Sequence, residues 1–253
     1  MNGFLKKARQ VVLGLGDFAT FSFRSTALGI THPLRLSEVV ENAYTLGIQS
    51  LPVILFTGFF AGLSNVLFLQ GELEQYGAKI TLGRVIGVTA VRELGPLVVA
   101  LMLTGRVGAA IAAELGSMKI GNQVDAITAL GQDPERKLAT PRVWALTLIS
   151  PVLTVFCVLA NLVGGWVVAT VDSGMYWYQA QMALYWRHVS SGLFKPFVFG
   201  WLIATVACYF GLRTENGVRG VGNAVSRAVV TCCILIFVSN ALMGLIFIAL
   251  YGL

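Results

Sequence analysis

Apolar positions along this chain gather into five long runs, separated by short polar segments. The runs cover residues 46–70, 85–113, 143–171, 197–212 and 228–253. About 20 apolar residues in a helix cross the hydrocarbon of a bilayer, so each run predicts a membrane span. The fourth is short and reaches its length by extending back through Pro196 and Lys195. Runs one, three and five contain no charged residue. The pattern predicts an all-α integral membrane protein whose termini lie on opposite sides of the membrane. Ahead of the first run, Phe4, Leu5, Val11, Val12, Leu15, Phe18, Phe21 and Phe23 alternate with Lys6, Lys7, Arg9, Asp17 and Arg24. That mixture suits an amphipathic helix lying in the membrane interface, and its aromatics argue against a disordered tail. The apolar stretch at 11–15 is too short for a signal peptide, and Asp17 prevents its extension. The expected organisation is an N-terminal interfacial region, residues 1–42, and a five-span domain, residues 43–253.

The second run differs from the others, because Arg92, Glu93 and Arg106 lie inside it. Ionisable residues at membrane depth are costly, and they usually line a cavity or pathway. Arg92 and Arg106 are 14 positions apart, so they share nearly one helix face about 21 Å apart along the axis. Glu93 points roughly 100° away from Arg92, which suits pairing with a neighbouring helix. Lys195, at the start of the fourth span, lies at a compatible depth. Two readings stand: the charges snorkel to the interface, or they ring a cavity. Pro96, four residues after Arg92, predicts an irregular helix at the charged position. Beyond the run, residues 119–130 predict one short polar helix closed by Gly131. Asp133 caps the next turn, Pro134 takes the first-turn position, and Thr140-Pro141 repeats the device. The resulting unit, residues 119–138, is a place where a soluble partner can push on the spans.

Composition supports a membrane location. Of the 253 residues, 56% are hydrophobic and 12% charged, about half the charged share of soluble domains. Basic residues set the orientation. The N-terminal segment and the loops after spans two and four hold twelve, and the opposite loops hold four: Lys79, Arg84, Arg187 and Lys195. This predicts a cytoplasmic N-terminus and a periplasmic C-terminus. The net charge of +6 is then a topology signal. It forms no single stripe, so nucleic-acid binding is not expected.

Catalytic signatures are missing. Cys157, Cys208, Cys232 and Cys233 sit in apolar runs and read as small hydrophobes. His32 and His188 have no ligand partners at metal spacing, so no metal site is expected. Gly217-Val-Arg-Gly220-Val-Gly222 lacks the Lys-Ser/Thr of a phosphate loop and reads as a tight cytoplasmic turn. No Ser-x-x-Lys or Gly-x-Ser-x-Gly elbow occurs. A non-catalytic subunit that binds no cofactor is expected, with its energy supplied from outside. Small residues mark close helix packing: Gly58-x-x-x-Gly62, Gly83-x-x-x-Gly87, and the face of Gly105, Gly108, Ala109, Ala112, Ala113 and Gly116. Packing within the chain and a homodimer seam are both open.

Four segments carry a family resemblance: VRELGPL at 91–97, GRVGAAIAAELGSMK at 105–119, DAITALGQDPERKLATPR at 125–142, and YFGLRTENGVRGVGNAVSRAVV at 209–230. They resemble the MlaE permeases of MCE-associated ABC phospholipid transport systems, over most of the chain from about residue 45. The resemblance implies a homodimer in the bacterial inner membrane. It implies two cytoplasmic ATPase subunits, which hold the ATP and Mg, docked on Gln123, Asp125, Ala126, Leu130, Asp133, Pro134 and Arg136. It further implies a periplasmic ring of MCE-domain proteins, a STAS-domain accessory protein, and a phospholipid in a cavity between the permease subunits. Arg92, Glu93 and Lys195 match charged positions near that cavity, and Leu63, Val66, Leu67 and Tyr76 would line its apolar part. The implied role is phospholipid movement between the inner membrane and the MCE proteins, maintaining outer-membrane asymmetry. On this reading Arg92 and Lys195 attract the phosphate, while Glu93 limits net charge or holds Arg92. One departure stands out: members often carry an acid near position 240, where this chain has Ser239-Asn240. The alternative, a stand-alone ion-coupled transporter or channel, needs an inverted repeat or an acidic relay. Glu93 is the only clearly intramembrane carboxylate in the sequence.

Overall fold

The computed structural model describes residues 2–31 and 36–251, with side chains for all of these except 2–12, 15 and 31. Its α-helices are α1 (Asn2–Thr31), α2 (Leu36–Asn42), α3 (Leu51–Gln75), α4 (Leu82–Thr89), α5 (Gly95–Leu103) and α6 (Ala109–Ile120), followed by α7 (Gln123–Ala129), α8 (Thr140–Val168), α9 (Ser173–Gln181), α10 (Trp186–Leu212) and α11 (Gly217–Tyr251). They join into five stretches long and apolar enough to cross a membrane: Leu36–Gln75, Lys79–Ile120, Glu135–Val168, Trp186–Leu212 and Gly217–Tyr251. The chain does not break at residue 42. A π turn (Ala43–Gly47) and a 3-10 turn (Ile48–Ser50) carry α2 into α3. The second span is three α-helical pieces, α4 to α6, joined by π turns at Ala90–Leu94 and Thr104–Gly108.

Glycine decides which spans touch. Gly58 lies against the Cys157 carbonyl, Gly62 against the Asn161 backbone, and Gly164 against the Phe59 backbone, so a β-carbon at any of the three would strike main chain of the opposing helix. Small residues thereby bring α3 and α8 into backbone contact, which dispersion and lipid exclusion favour in a membrane. Gly83 and Gly87 do the same for α4 against Tyr176, Ala180 and Ala183 of the α9 region. The Gly58 and Gly83 motifs are thus engaged within the chain. Helix α10 is the most enclosed element: Lys195, Phe199, Ile203, Ala204 and Cys208 are buried along it. Helices α3 and α11 flank the bundle and expose Phe56, Phe60, Phe68, Phe237, Leu242 and Leu245. In hydrocarbon such faces carry no penalty.

Helix α1 is present, and from Leu13 onward its side chains are described. Phe18 and Phe21 pack edge-on against Tyr209 of α10, at centroid distances of 5.4 and 5.7 Å. Trp201 Nε1 donates to Thr26 Oγ1 at 2.8 Å, and Gly29 lies against the Trp144 ring. Phe23 and Ile30 remain exposed. The side chains of Phe4, Leu5, Lys6, Lys7, Arg9, Val11, Val12 and Leu15 lie outside the described residues, as does Arg35.

Two local expectations are corrected. Residues 119–130 do not form one helix: α6 ends at Ile120, and Asn122 adopts a left-handed φ of 57° before α7 begins. Gly121 and Asn122 cannot sustain the helical ladder there, so the helix between spans two and three is only seven residues long. Gly217–Gly222 is not a turn but the opening of α11. The reversal falls just before it, where Asn216 and Gly217 carry φ of 64° and 65°.

Candidate functional site

The charged site of the second span originates at a proline. Pro96 has no N–H, so the Arg92 carbonyl four residues earlier loses its helical donor. The Gly95 amide reaches back to the Ala90 carbonyl instead, closing an i to i+5 turn. Such π turns recur at functional sites. Lys195 supplies the missing donor: its Nζ lies 3.0 Å from Arg92 O and 2.6 Å from Glu93 Oε1. Gly192, one turn earlier on α10, allows this approach because it lies against the Val91 backbone. The second Glu93 oxygen accepts from Asn240 Nδ2 of α11 at 3.0 Å. One carboxylate therefore ties the second, fourth and fifth spans together.

The three charges differ in their partners. Lys195 is 1% exposed, with both acceptors inside the protein, so its charge is matched by Glu93. Glu93 holds Lys195 and Asn240, not the Arg92 side chain. Arg92 is half-buried and has no carboxylate within 4 Å among the described residues. Of the three charges of this cluster, it is the one that no described carboxylate neutralises. Arg106, on the other π turn, is exposed, and its Nη1 donates to Ser50 Oγ at 2.6 Å. Behind Val91, residues Val158, Leu162, Trp177, Ala180 and Leu193 line an apolar cavity of about 390 Å³.

The remaining first-span residues are not gathered around this cluster. Val66 is fully buried with Leu82, Ile86, Leu162 and Ala180, so its side chain is taken up by packing within the subunit and cannot line an open cavity. Leu63 is half-buried, and Leu67 and Tyr76 are exposed. Asn240 was visible in the sequence as a polar residue in an uncharged span, but its partner was not.

On the segment between spans two and three, Gln123, Ala126 and Arg136 are exposed, as is Leu130 at 76%. A large apolar side chain standing clear of a polar segment marks a contact surface. Asp125 pairs with Lys119 at 2.6 Å. The Gly131 amide donates to Thr128 O and the Gln132 amide to Ile127 O, closing α7 around a left-handed glycine. Asp133 Oδ1 caps the Glu135 amide at 2.9 Å, while its Oδ2 meets Arg24 Nη2 at 2.6 Å. Asp133 and Pro134 are half-buried, so Asp133 turns inward to α1 instead of standing free.

Five apolar helices, a polar cluster that joins three of them and a polar segment with an exposed leucine describe a polytopic membrane protein of the permease type. The family described as Permease MlaE matches residues 39–246, and the chain belongs to it. A probable ABC transporter permease protein of Rickettsia felis is 35% identical over 250 residues, covering 97% of this chain and 96% of its own. The intermembrane phospholipid transport system permease protein MlaE of Haemophilus influenzae is 33% identical over 216 residues, covering 81% and 82%. The chloroplastic protein TRIGALACTOSYLDIACYLGLYCEROL 1 of Arabidopsis thaliana is 32% identical over 205 residues, covering 79% and 59%.

Proposed function

We propose that this chain is the non-catalytic membrane subunit of an ATP-driven transporter that moves phospholipid between the inner membrane and periplasmic MCE-domain proteins, and so maintains outer-membrane asymmetry. The observation that carries this reading is the half-buried Arg92, held on a π turn beside a matched Lys195–Glu93 pair, in a chain of the MlaE permease family. Arg92 attracts the lipid phosphate through charge-assisted hydrogen bonds. The Lys195–Glu93–Asn240 cluster sets the backbone from which Arg92 projects. Acyl chains lie against exposed side chains of the first and last spans. Two copies of the chain enclose the lipid. ATPase subunits, which carry the ATP and Mg, dock on the segment around Leu130 and Arg136, and a STAS-domain protein accompanies them. The N-terminus is cytoplasmic and the C-terminus periplasmic.

The test is purification of the tagged complex, with mass spectrometry of bound lipid and partners. Phospholipid, an ATPase and an MCE protein should co-purify with the wild type. Arg92→Glu should lose the phospholipid and keep the partners. Unchanged lipid occupancy in that variant sinks the headgroup assignment.

A further inference from the structure

Residues 119–138 connect the second and third spans and are tied to both, by Lys119–Asp125 at 2.6 Å and by Arg142 donating to Leu138 O at 2.7 Å, but an equally short tie runs to a third element. Arg24 of α1 reaches across 109 residues of sequence to Asp133 at 2.6 Å, and its Nε lies 3.5 Å from Glu135 Oε2. One guanidinium thus spans two carboxylates that flank Pro134. Asp133 is held from both ends, since its other oxygen caps the Glu135 amide. Helix α1 is itself fastened to the bundle. Asp17 pairs with Arg213 at 3.4 Å, and the Arg213 guanidinium lies 4.4 Å above the Tyr209 ring. Phe18 and Phe21 pack on that ring, Thr26 accepts from Trp201, and Gly29 lies against Trp144.

We propose that Arg24 is a positioning residue, and that through it α1 forms a second arm of the coupling machinery. A displacement of the 133–135 turn passes through the Arg24 fork into α1, and from there to α8 and α10. Helix α10 carries Lys195, which holds the Arg92 turn. The cytoplasmic segment thereby acts on the charged site from two directions: along the second span, and through α1 and the fourth. The fork geometry is what matters. An exposed ion pair adds little stability; here Arg24 makes one charge-assisted hydrogen bond to Asp133 and a looser 3.5 Å ion pair to Glu135, and its planar guanidinium faces both carboxylates at once, which a lysine's point charge does not do in the same geometry.

The inference rests on the docking of an ATPase on this segment, proposed above, and its test separates the two. The complex with its ATPase is reconstituted in vesicles containing a fluorescent phospholipid, and lipid transferred per ATP hydrolysed is measured. The variants are Arg24→Gln, Asp133→Asn and their combination. Asparagine still caps the Glu135 amide, so only the ion pair is removed. Each single variant should lower lipid moved per ATP roughly two- to fivefold, as expected for loss of one surface ion pair. The double variant should lose no more than either single one, and Arg24→Lys should fall between. The amount of ATPase that co-purifies with Arg24→Gln should not change. An unaltered ratio in Arg24→Gln overturns the proposal, as does a double variant whose loss is the product of the singles. Reduced ATPase co-purification at an intact ratio also overturns it, because Arg24 would then act on docking alone. A wild-type permease that brings down no ATPase overturns the docking reading itself.

Discussion

Removing the two halves of the Lys195–Glu93 pair should not be equivalent, because the partners differ in exposure: 1% for the lysine side chain and 44% for the glutamate. Glu93→Gln keeps the shape and an oxygen for Lys195. The Asn240 amide can turn its unpartnered Oδ1 toward the new amide nitrogen, so only charge is lost. A buried ammonium then lacks its counter-ion. Breaking a buried pair costs about 3–5 kcal/mol, and the remaining acceptors place this case near 3 kcal/mol. Lys195→Met preserves volume and leaves a carboxylate that water and Asn240 still solvate. The main loss is the donor to the Arg92 carbonyl, about 1–3 kcal/mol for an unsatisfied buried group. The double variant leaves no buried charge and should cost less than Glu93→Gln alone, since matched removal of a buried pair is often near neutral. At about 2–4 °C per kcal/mol for a protein of this size, Glu93→Gln should lower the Tm by about 6–12 °C. Lys195→Met should lower it by about half as much, and the double by no more than Lys195→Met. Thermal unfolding in nanodiscs reads all three. A Lys195→Met variant less stable than Glu93→Gln, or a double equal to the sum, refutes the argument.

Other outcomes derive from the same structure. Pro96→Ala restores an N–H to the Arg92 carbonyl, displacing Lys195 and converting the π turn to α-helix; lipid occupancy should fall while the Tm does not, and unchanged occupancy would separate the turn from binding. Gly62→Ala drives a β-carbon into the Asn161 backbone and should cost about 2–3 kcal/mol with loss of monodispersity on gel filtration, whereas Gly244→Ala, with nothing within 4 Å, should be neutral. Burial pushes the Tyr176 phenol up to about 12, and its hydroxyl donates to Leu162 O at 3.1 Å. Tyr176→Phe should therefore lose about 1 kcal/mol at neutral pH. A raised phenol pKa stabilises the fold below the unfolded value near 10 and loses that effect as pH climbs to 12, so the gap between wild type and Tyr176→Phe should close over that window; a gap independent of pH contradicts it.

Span number was legible in the sequence because twenty apolar residues have few other stable homes, and the short polar segment between spans two and three was legible from its glycine and its Asp-Pro pair. Arg92, Glu93 and Lys195 were identifiable for a related reason: charge among apolar residues is conspicuous. Whether each charge is free or matched was not visible, because Lys195 and Asn240 reach Glu93 across 102 and 147 residues of sequence. The same holds for Arg24, 109 positions from Asp133. Val66 illustrates the same dependence on partners distant in sequence. Hydrophobicity placed it in a span, but only the approach of α8 and α9 decided that it faces the interior of the subunit.

Local chemistry thus determined where the helices run and where one of them must break: Pro96 removes a donor whatever surrounds it. Tertiary structure decided what repairs the break. The orphaned Arg92 carbonyl and the Glu93 carboxylate are satisfied by a lysine on another span, which leaves the Arg92 guanidinium without a carboxylate partner among the described residues. Hydropathy and proline act over a few residues of chain. The pairing of charges depends on which helix faces meet, and the glycines that bring backbones together set that.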